Sequence, residues 1–412
     1  MKKNNICFVD FNASHISLAV CELNENTLQK IVSFSKTEIS ASKTKHNLFD
    51  TTELYAEMLK LIDEAEKKTK ITIFEIILIV SSTNIKTTLL SKTFAFSKAQ
   101  TLSKTTIENM LIKSTKSFTA IKPLEQILDI INTNYTLDKT SVVDNPYKLS
   151  CNFAEIKTNI LSINNVFEKK FSSYLERFKL HVKHYIHPCI AVSSFLKPFL
   201  GGNDTILLIN FGGNTTDYCI FNQQNIILCD SLDFGENDTT QNIAKALNTF
   251  PSYAEKLKRE ISVENSNETT NEFTKYKTSL MQEKIKHIMD SDIEKIAMEI
   301  KNSIKSNTKL EGLMTTKIIL FGNASKYRQT AKIFQNIFNH QVDTLNETIF
   351  SLDEKSSFFE KFSKENLTTD NIAIISGIDF YLSNLTTYEN AKRSFLFKMP
   401  SKITCLLRDL LY

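Results

Sequence analysis

The sequence predicts an α/β protein of two domains with a duplicated architecture, and three observations lead to this prediction. The chain has 412 residues, more than an ordinary single domain packs around one core. Continuous apolar runs, typical of strands buried on both faces, alternate with amphipathic helices. Two segments with the same order of strand, turn, hydroxyl residue and strand lie about 200 residues apart.

The predicted strands are short apolar runs. Residues 5–10 form the first strand, and residues 16–22 are its expected hairpin partner. Further strands are predicted at 76–80, 206–209 and 318–321, where apolar and β-branched residues follow one another without alternation. Such runs belong in the middle of a sheet that is covered on both sides.

Helices are predicted between these strands. Apolar residues recur at helical spacing over 52–67, at Leu54, Met58, Leu61, Ile62 and Ala65. Helices are also expected over 252–261 and 285–305, and the second has an inner face of Ile293, Ile296, Ala297, Ile300 and Ile304. The polar, turn-rich stretches 262–272 and 384–394 are expected to be a loop and a linker.

Composition and charge exclude several classes of protein. The net charge is only +4, with 50 basic residues interspersed among 46 acidic ones, so a nucleic acid is not an expected partner. The seven cysteines are scattered and show no C-x-x-C spacing, so they are expected to be free, buried thiols. We find no signal peptide and no apolar run long enough to span a bilayer, and we expect a cytosolic protein that can still touch a membrane.

Three turns that follow buried strands are the part of the sequence that indicates a binding site. They are Asp10–His15, Gly212–Thr216 and Gly322–Ser325. The backbone N–H groups of such turns converge on an anion, and the hydroxyl side chains add donors. The first two turns therefore predict one phosphate-binding hairpin in each of two duplicated halves.

The three turns resemble the phosphate-1, phosphate-2 and adenosine motifs of the superfamily that joins actin, the heat-shock chaperone ATPases and the sugar kinases. Their setting is similar to that in the bacterial cell-division protein FtsA family. Residues 81–86 resemble the entry to the inserted subdomain of that family, residues 144–150 its late loop, and residues 234–238 the segment after phosphate 2. Residues 254–258 resemble a helical Ala-Glu-x-x-Lys motif, and residues 371–377 resemble the closing helix. The resemblance implies an actin-like, ribonuclease H-like duplicated fold with an FtsA-type inserted subdomain.

The resemblance also implies a division of the chain into subdomains. These are subdomain 1A at 1–82 and 166–203, inserted subdomain 1C at 83–165, subdomain 2A at 204–235 and 310–383, subdomain 2B at 236–309, a linker at 384–398 and a membrane helix at 399–412.

An ATP site is a further implication of the resemblance, with Mg²⁺ at Asp10. The expected nucleotide-binding residues lie in the three turns and in two neighbouring segments: Asp10, Asn12, Ala13, Ser14, His15, Gly212, Gly213, Asn214, Thr215, Thr216, Gly235, Glu255, Lys258, Gly322, Asn323, Ala324 and Ser325. A fold that kept these turns and lost the ligand is the alternative.

The sequence departs from the family pattern at residues expected to take part in nucleotide binding and hydrolysis. Asn12 and Ala13 replace a Gly and a Thr of the relatives, Asn210 stands in place of an Asp, and His187 replaces a Glu. An amide cannot accept a proton as a carboxylate can, and His187 cannot orient a water and Mg²⁺ as a Glu does. We therefore expect ATP binding with weak or no hydrolysis, in a protein that is not an enzyme.

The last dozen residues predict an amphipathic helix. Its apolar residues recur at i, i+3, i+4, i+7 and i+8 and form one stripe, and basic residues beside the stripe can meet anionic lipid headgroups. The expected membrane-binding residues are Lys402, Ile403, Leu406, Leu407, Arg408, Leu410 and Leu411. A core helix that closes the fold is the alternative.

The resemblance implies a cell-division adaptor at the division site, peripheral on the cytoplasmic face of the inner membrane. The protein would polymerise as an actin-like filament, bind the C-terminal tail of the tubulin-like protein FtsZ and help to recruit downstream divisome proteins. In relatives the FtsZ tail docks on the subdomain that spans 236–309 here, with the helix 285–305 as the expected platform. Two alternatives stay open: a type IV pilus assembly protein of the PilM kind, and a phosphotransferase or ATPase of the sugar-kinase branch.

Overall fold

A computed structural model describes residues 4–24, 27–39, 52–143, 145–201, 204–223, 225–263, 272–306, 315–346, 349 and 356–391. The predicted membrane helix 399–412 and residues 392–398 of the predicted linker lie outside these ranges, as does Asp144. The described residues form three β-sheets with helices packed against them, which confirms the α/β class. No helix in these ranges is long and apolar enough to cross a bilayer.

The strands are β1 Asn4–Phe11, β2 His15–Asn24, β3 Thr27–Glu38, β4 Glu75–Val80, β5 Ile85–Thr101, β6 Glu125–Leu137, β7 Ser141–Val143, β8 Ser150–Asn164, β9 His181–Ile186, β10 Thr205–Phe211, β11 Thr216–Asn222, β12 Ile226–Leu232, β13 Lys317–Gly322 and β14 Gln341–Thr344. The helices are α1 Thr52–Thr69, α2 Lys104–Ile121, α3 Asn165–Glu176, α4 Pro188–Leu196, α5 Glu236–Leu247, α6 Pro251–Val263, α7 Glu272–Ser306, α8 Arg328–Phe338, α9 Ser356–Phe359 and α10 Ile372–Ala391.

Two of the sheets have the same topology, so the predicted duplication is confirmed. The first has the order β3-β2-β1-β4-β9 and the second the order β12-β11-β10-β13-β14. In each sheet an antiparallel hairpin leads to a parallel pair, β1 with β4 and β10 with β13. The register is also the same, because Phe11 faces Ile16 across the first turn and Phe211 faces Thr216 across the second.

The two halves share a core through α4. This helix is apolar on nearly every side and is buried along almost its whole length, as expected for a helix with no solvent-facing side. It contacts α10 together with β10, β11 and β12, and so joins the first half to the second sheet. The five apolar positions predicted for the first helix are buried in α1, under the first sheet.

The third sheet, of order β5-β8-β6-β7, is inserted between β4 and α3. The N–H of Asn164 donates to the carbonyl of Asn84 (3.0 Å) and closes the base of this insertion. The insertion contacts the second half along β12, where Thr87 Oγ1 donates to the carbonyl of Cys229 at 2.9 Å and Asn159 Nδ2 to that of Ile226 at 2.9 Å. A core of its own, which includes Leu111 and Tyr135, lies beneath α2.

Two boundaries differ from the prediction. Helix α7 begins at Glu272, well before the predicted residue 285, and α10 continues to Ala391. The expectation of a linker or loop over 384–391 is therefore wrong. This stretch contains neither Gly nor Pro, so it extends a helix whose earlier turns are anchored in the core by Ile375 and Tyr381.

Candidate functional site

The three turns predicted from the sequence meet between the two halves, at the ends of β1, β10 and β13. The first two have the same hairpin geometry, with Asn12 N–H donating to the carbonyl of His15 (3.0 Å) and Gly212 N–H to that of Thr215 (3.0 Å). They also touch, since a Cβ added at Gly213 would lie 3.0 Å from the Cβ of Ala13.

The third turn starts at a position that only glycine can fill. Gly322 has a φ of +87°, and a Cβ there would lie 2.4 Å from the carbonyl oxygen of Phe211. A side chain would thus be strained by its backbone conformation and would collide with the neighbouring strand.

A cavity of about 250 Å³ lies beside these turns, between the two halves. Seven of the predicted nucleotide-binding residues line it: Ser14, His15, Gly235, Glu255, Lys258, Asn323 and Ala324. One wall is apolar and consists of Phe211, Met289, Ile293, Ile296 and Tyr327. The cavity combines an apolar wall with a few convergent polar groups, as small-molecule sites do.

The other predicted residues do not reach this cavity. Asp10, Asn12 and Gly322 line a crevice of about 30 Å³ next to it. A separate crevice of about 160 Å³, beside residues 81–84, is lined by Ala13, Gly212, Gly213, Asn214 and Thr215. Thr216 is buried and donates to the carbonyl of Phe234, and Ser325 donates to that of Gly322 (2.6 Å).

Lys258 is the centre of the polar wall and is only 6% exposed. Its Nζ lies 2.7 Å from Oε2 of Glu255 and 3.7 Å from Oε2 of Glu236, and it donates to Oγ1 of Thr240 at 2.9 Å. Arg259 donates to the other oxygen of Glu255 (3.0 Å). Helices α5 and α6 bring these groups together, because Glu236 begins α5 while Glu255 and Lys258 face it from α6.

Burial and pairing act in opposite directions on the carboxylates of this wall. Burial would raise the pKa of Glu255, but Lys258, Thr240 and Arg259 together lower that pKa below its ordinary value. Burial raises the pKa of Glu236, and Lys258 offsets only part of that effect. Glu255 is therefore the firmly ionised partner of Lys258, and Glu236 takes up a proton more readily.

The first turn satisfies the polar groups of Ser14 internally, whereas Oδ2 of Asp10 and Nε2 of His15 are buried without a hydrogen-bond partner in the described part of the chain. Oδ1 of Asn12 accepts hydrogen bonds from the N–H of Ser14 (3.2 Å) and from its hydroxyl (3.3 Å). Oγ of Ser14 lies 3.1 Å from Nδ1 of His15, and Nε2 of His15 lies 3.4 Å from Oδ2 of Asp10. The turn is closed by its own side chains, as in an Asx-turn.

A second carboxylate, Asp217, is buried and fully engaged. It accepts hydrogen bonds from Ser81 (2.6 Å), Ser231 (2.7 Å) and the amide of Asn210 (3.0 Å). Nε2 of His187 lies 3.8 Å from the same carboxylate, and burial lowers the pKa of this histidine. These groups link the two halves, and none of them lines the cavity.

The resemblance implies an adenine nucleotide with Mg²⁺, and the site fits the two parts unequally. The apolar wall suits a base, and Glu255, held by Lys258, offers acceptor oxygens for sugar hydroxyls. Oδ2 of Asp10, the expected metal ligand, is buried without a hydrogen-bond partner from the described ranges and lies 3.4 Å from Nε2 of His15. Asp10 would hold Mg²⁺ through this oxygen, in the crevice of about 30 Å³ that adjoins the cavity. Among the described residues, the nucleoside thus has a lined cavity and the metal has one carboxylate oxygen. Within the described ranges, no group of three or more His, Cys, Asp or Glu side chains could hold a metal ion.

Several residues of the cavity wall were not anticipated from the sequence. Lys326 directly follows the third turn and Arg259 directly follows the Ala-Glu-x-x-Lys motif, so their neighbourhood was a usable signal. Lys36 and Glu38 come from β3 at the edge of the first sheet, and Asp370 precedes α10. For these three residues the sequence offered no local signal.

Comparison with known proteins gives matches in sequence and in structure. The model of the family described as "Cell division protein FtsA" matches residues 207–362. FtsA of Buchnera aphidicola subsp. Baizongia pistaciae is 23% identical over 255 residues, and FtsA of the subspecies Schizaphis graminum is 21% identical over 257. Each match covers 58% of this chain and 60% of the relative, so the chain aligns with about three fifths of their length. A solved PilM–PilN type IV pilus biogenesis complex superposes with a TM-score of 0.60 at 12% identity, over 92% of this chain and 98% of that one.

The duplicated sheets, the inserted third sheet and the cleft form an actin-like fold. The family model and the two relatives show that the chain is similar in sequence to FtsA, which confirms the resemblance predicted from the turns.

Proposed function

We propose that this protein is a cell-division adaptor of the FtsA type. It polymerises as an actin-like filament, binds an adenine nucleotide in the cleft and tethers FtsZ to the cytoplasmic face of the inner membrane at the division site. The observation that carries the proposal is the cavity between the duplicated halves, which residues of the first and third turns line together with Glu255 and Lys258. The sequence matches to FtsA support the cell-division role.

The nucleotide is proposed as a structural ligand that is hydrolysed weakly or not at all. Asp217 lies beside Asn210 and His187, yet it is buried and accepts hydrogen bonds from four donors, which are Ser81, Asn210, Thr215 and Ser231. His187 is buried against Cys229, with 3.3 Å between Nδ1 and Sγ. Neither group can orient a water molecule in the cavity. Phosphate release from purified protein at the background rate is the expected result, and clear turnover would instead favour the phosphotransferase or ATPase alternative.

The adaptor role depends on two further parts. The FtsZ tail is proposed to dock on subdomain 2B, with α7 as the platform, and downstream divisome proteins are proposed to assemble on the filament. Anchoring is assigned to the stripe of residues 399–412. Five partly inserted aliphatic side chains give on the order of 5–8 kcal/mol before the cost of ordering a short helix, so anchoring is reversible and filament formation strengthens it by avidity.

Vesicle sedimentation tests the anchor. Full-length protein with ATP should sediment with vesicles that contain anionic lipid, and deletion of 398–412 should abolish this. Leu406→Glu removes one apolar residue from the stripe, and Cys405→Glu is the matched control, since it adds the same charge on the opposite face of the helix. The leucine variant should lose binding and the cysteine variant should retain it. Equal binding by all four proteins would contradict the anchor.

Localisation in cells distinguishes the PilM-like alternative. A fluorescent fusion should form a band with FtsZ at the division site, and removal of 398–412 should disperse it. The structural likeness to PilM is one of fold. An unchanged location after the deletion, or no overlap with FtsZ, would favour a pilus-type assembly role instead.

A further inference from the structure

We infer that the cleft recognises the nucleoside part of its ligand and that the phosphates add little to the affinity, so that adenosine, ADP and ATP bind about equally and without Mg²⁺. The inference rests on the proposed function, in which the cleft takes an adenine nucleotide. It concerns which part of that nucleotide supplies the binding energy. Three features of the cleft support it.

The first feature is the self-closure of the phosphate-1 turn. In a turn that holds an anion, the backbone N–H groups and the hydroxyl point at the ligand. Here Oδ1 of Asn12 accepts both the N–H and the hydroxyl of Ser14, at 3.2 and 3.3 Å. The side-chain oxygen of Asn12 thus takes the place of a phosphate oxygen, and a phosphate must compete with it.

The second feature is the position of the diglycine turn. Gly212 and Gly213 line the crevice beside residues 81–84 and not the cavity. Their carbonyls accept the first N–H groups of α5, from Glu236 at 3.0 Å and from Asn237 at 2.8 Å. The amides at a helix N-terminus are a common anion site, and in this helix two of them are already used.

The third feature is the charge of the cavity wall. Four basic side chains line the cavity, Lys36, Lys258, Arg259 and Lys326, and so do four acidic ones, Glu38, Glu236, Glu255 and Asp370. Three of the basic groups are engaged directly: Lys258 and Arg259 hold Glu255, and Lys326 holds Asp370 at 2.6 Å. The fourth, Lys36, donates to Asn371 at 3.4 Å, and burial lowers its pKa. A triphosphate would therefore enter a balanced wall with no surplus of positive charge.

Calorimetric titration of the full chain tests the inference. Adenosine, AMP, ADP and ATP are titrated separately, each with Mg²⁺ and with EDTA. The expected Kd values agree within about threefold, and EDTA leaves them unchanged. ATP that binds at least tenfold more tightly than adenosine, and only with Mg²⁺, would overturn the inference and leave the proposed function intact. If none of the four binds, nucleotide binding itself is refuted, and the inference with it.

Two variants locate the effect in the first turn. Asn12→Gly removes the internal acceptor and frees the N–H of Ser14, so ATP should bind at least fivefold more tightly while adenosine is unaffected. Asn145→Gly is the matched control, because Oδ1 of Asn145 accepts the N–H two residues ahead (2.9 Å) in the same kind of turn, and Asn145 does not line the cavity. This control should change neither Kd. Retained adenosine binding shows that each variant is folded, and an Asn12→Gly protein with unchanged ATP affinity would contradict the role of Asn12.

Discussion

The substitution Lys258→Met removes the positive charge at the centre of the cavity wall. At the observed separations of 2.7 and 3.7 Å from Glu255 and Glu236, the Coulomb attraction is about 6 and about 4.5 kcal/mol at an effective dielectric constant of about 20. Desolvation of the three buried groups offsets much of this. Removal of one partner from a buried ion pair typically costs about 3–5 kcal/mol. We expect a loss of about 3 kcal/mol, because Glu255 keeps its bonds to Arg259 and Thr240.

Urea unfolding at neutral pH measures this loss through the shift of the midpoint. Lys256→Met is the matched control, since Lys256 lies on the same helix and its pair with Glu260 is 71% and 58% exposed. The control should lose less than about 0.5 kcal/mol. The loss caused by Lys258→Met should shrink in mild acid, because burial raises the pKa of Glu236 and its protonation relieves the repulsion between the carboxylates. A loss below about 1 kcal/mol, or the same loss in both variants, would refute the assignment of Lys258 as the buried counter-ion.

Two further predictions concern the turn and the interface between the halves. Gly322→Ala should lower the free energy of unfolding by about 3 kcal/mol, because a Cβ at φ +87° meets the backbone of Phe211. The control Gly201→Ala should lower it by less than about 1 kcal/mol. Urea unfolding of both variants checks this prediction, and equal losses would contradict it. Burial lowers the pKa of His187 in spite of Asp217. Below about pH 6.5 the unfolded chain therefore binds a proton at this histidine that the folded chain does not bind, and the free energy of unfolding should decrease as the pH is lowered through that range. His187→Gln should flatten this dependence by at most about 1.4 kcal/mol per pH unit, and parallel stability curves for the two proteins would count against the idea.

Much of the fold could be predicted from local patterns in the sequence. The spacing of Leu54, Met58 and Leu61 predicted the buried face of α1, and all three residues are buried. The repeated order of strand, turn and strand predicted the duplication, because a turn between two buried strands is determined by a few neighbouring residues. For the same reason the glycines of the second and third turns could be recognised without knowledge of their surroundings.

The cavity wall could be predicted only in part, because long-range packing assembles it. Lys36 and Glu38 lie on the edge strand β3 and reach the cavity only when the first sheet packs beside the second half. The side chain of Asn12 was noticed as a replacement for glycine, but its bond to the N–H of Ser14 depends on the folded turn. The polar composition of 384–391 does not indicate the continuation of α10 to Ala391, although this stretch contains no helix-breaking residue.

The retained turns do not by themselves indicate a retained phosphate site. A Cβ at Gly235 would lie 2.4 Å from the carbonyl oxygen of Gly213, and one at Gly322 would lie 2.4 Å from that of Phe211. Both glycines are thus required by the approach of one backbone segment to another, with or without a ligand. The position at which the family glycine is replaced, Asn12, is the one whose new side chain accepts the N–H of Ser14. The packing of the turns and the binding of phosphate by the turns depend on different atoms. The fold can therefore keep the packed turns while phosphate binding weakens. Only the hydrogen bonds made by the N–H and hydroxyl donors of the turns distinguish a retained phosphate site from a lost one.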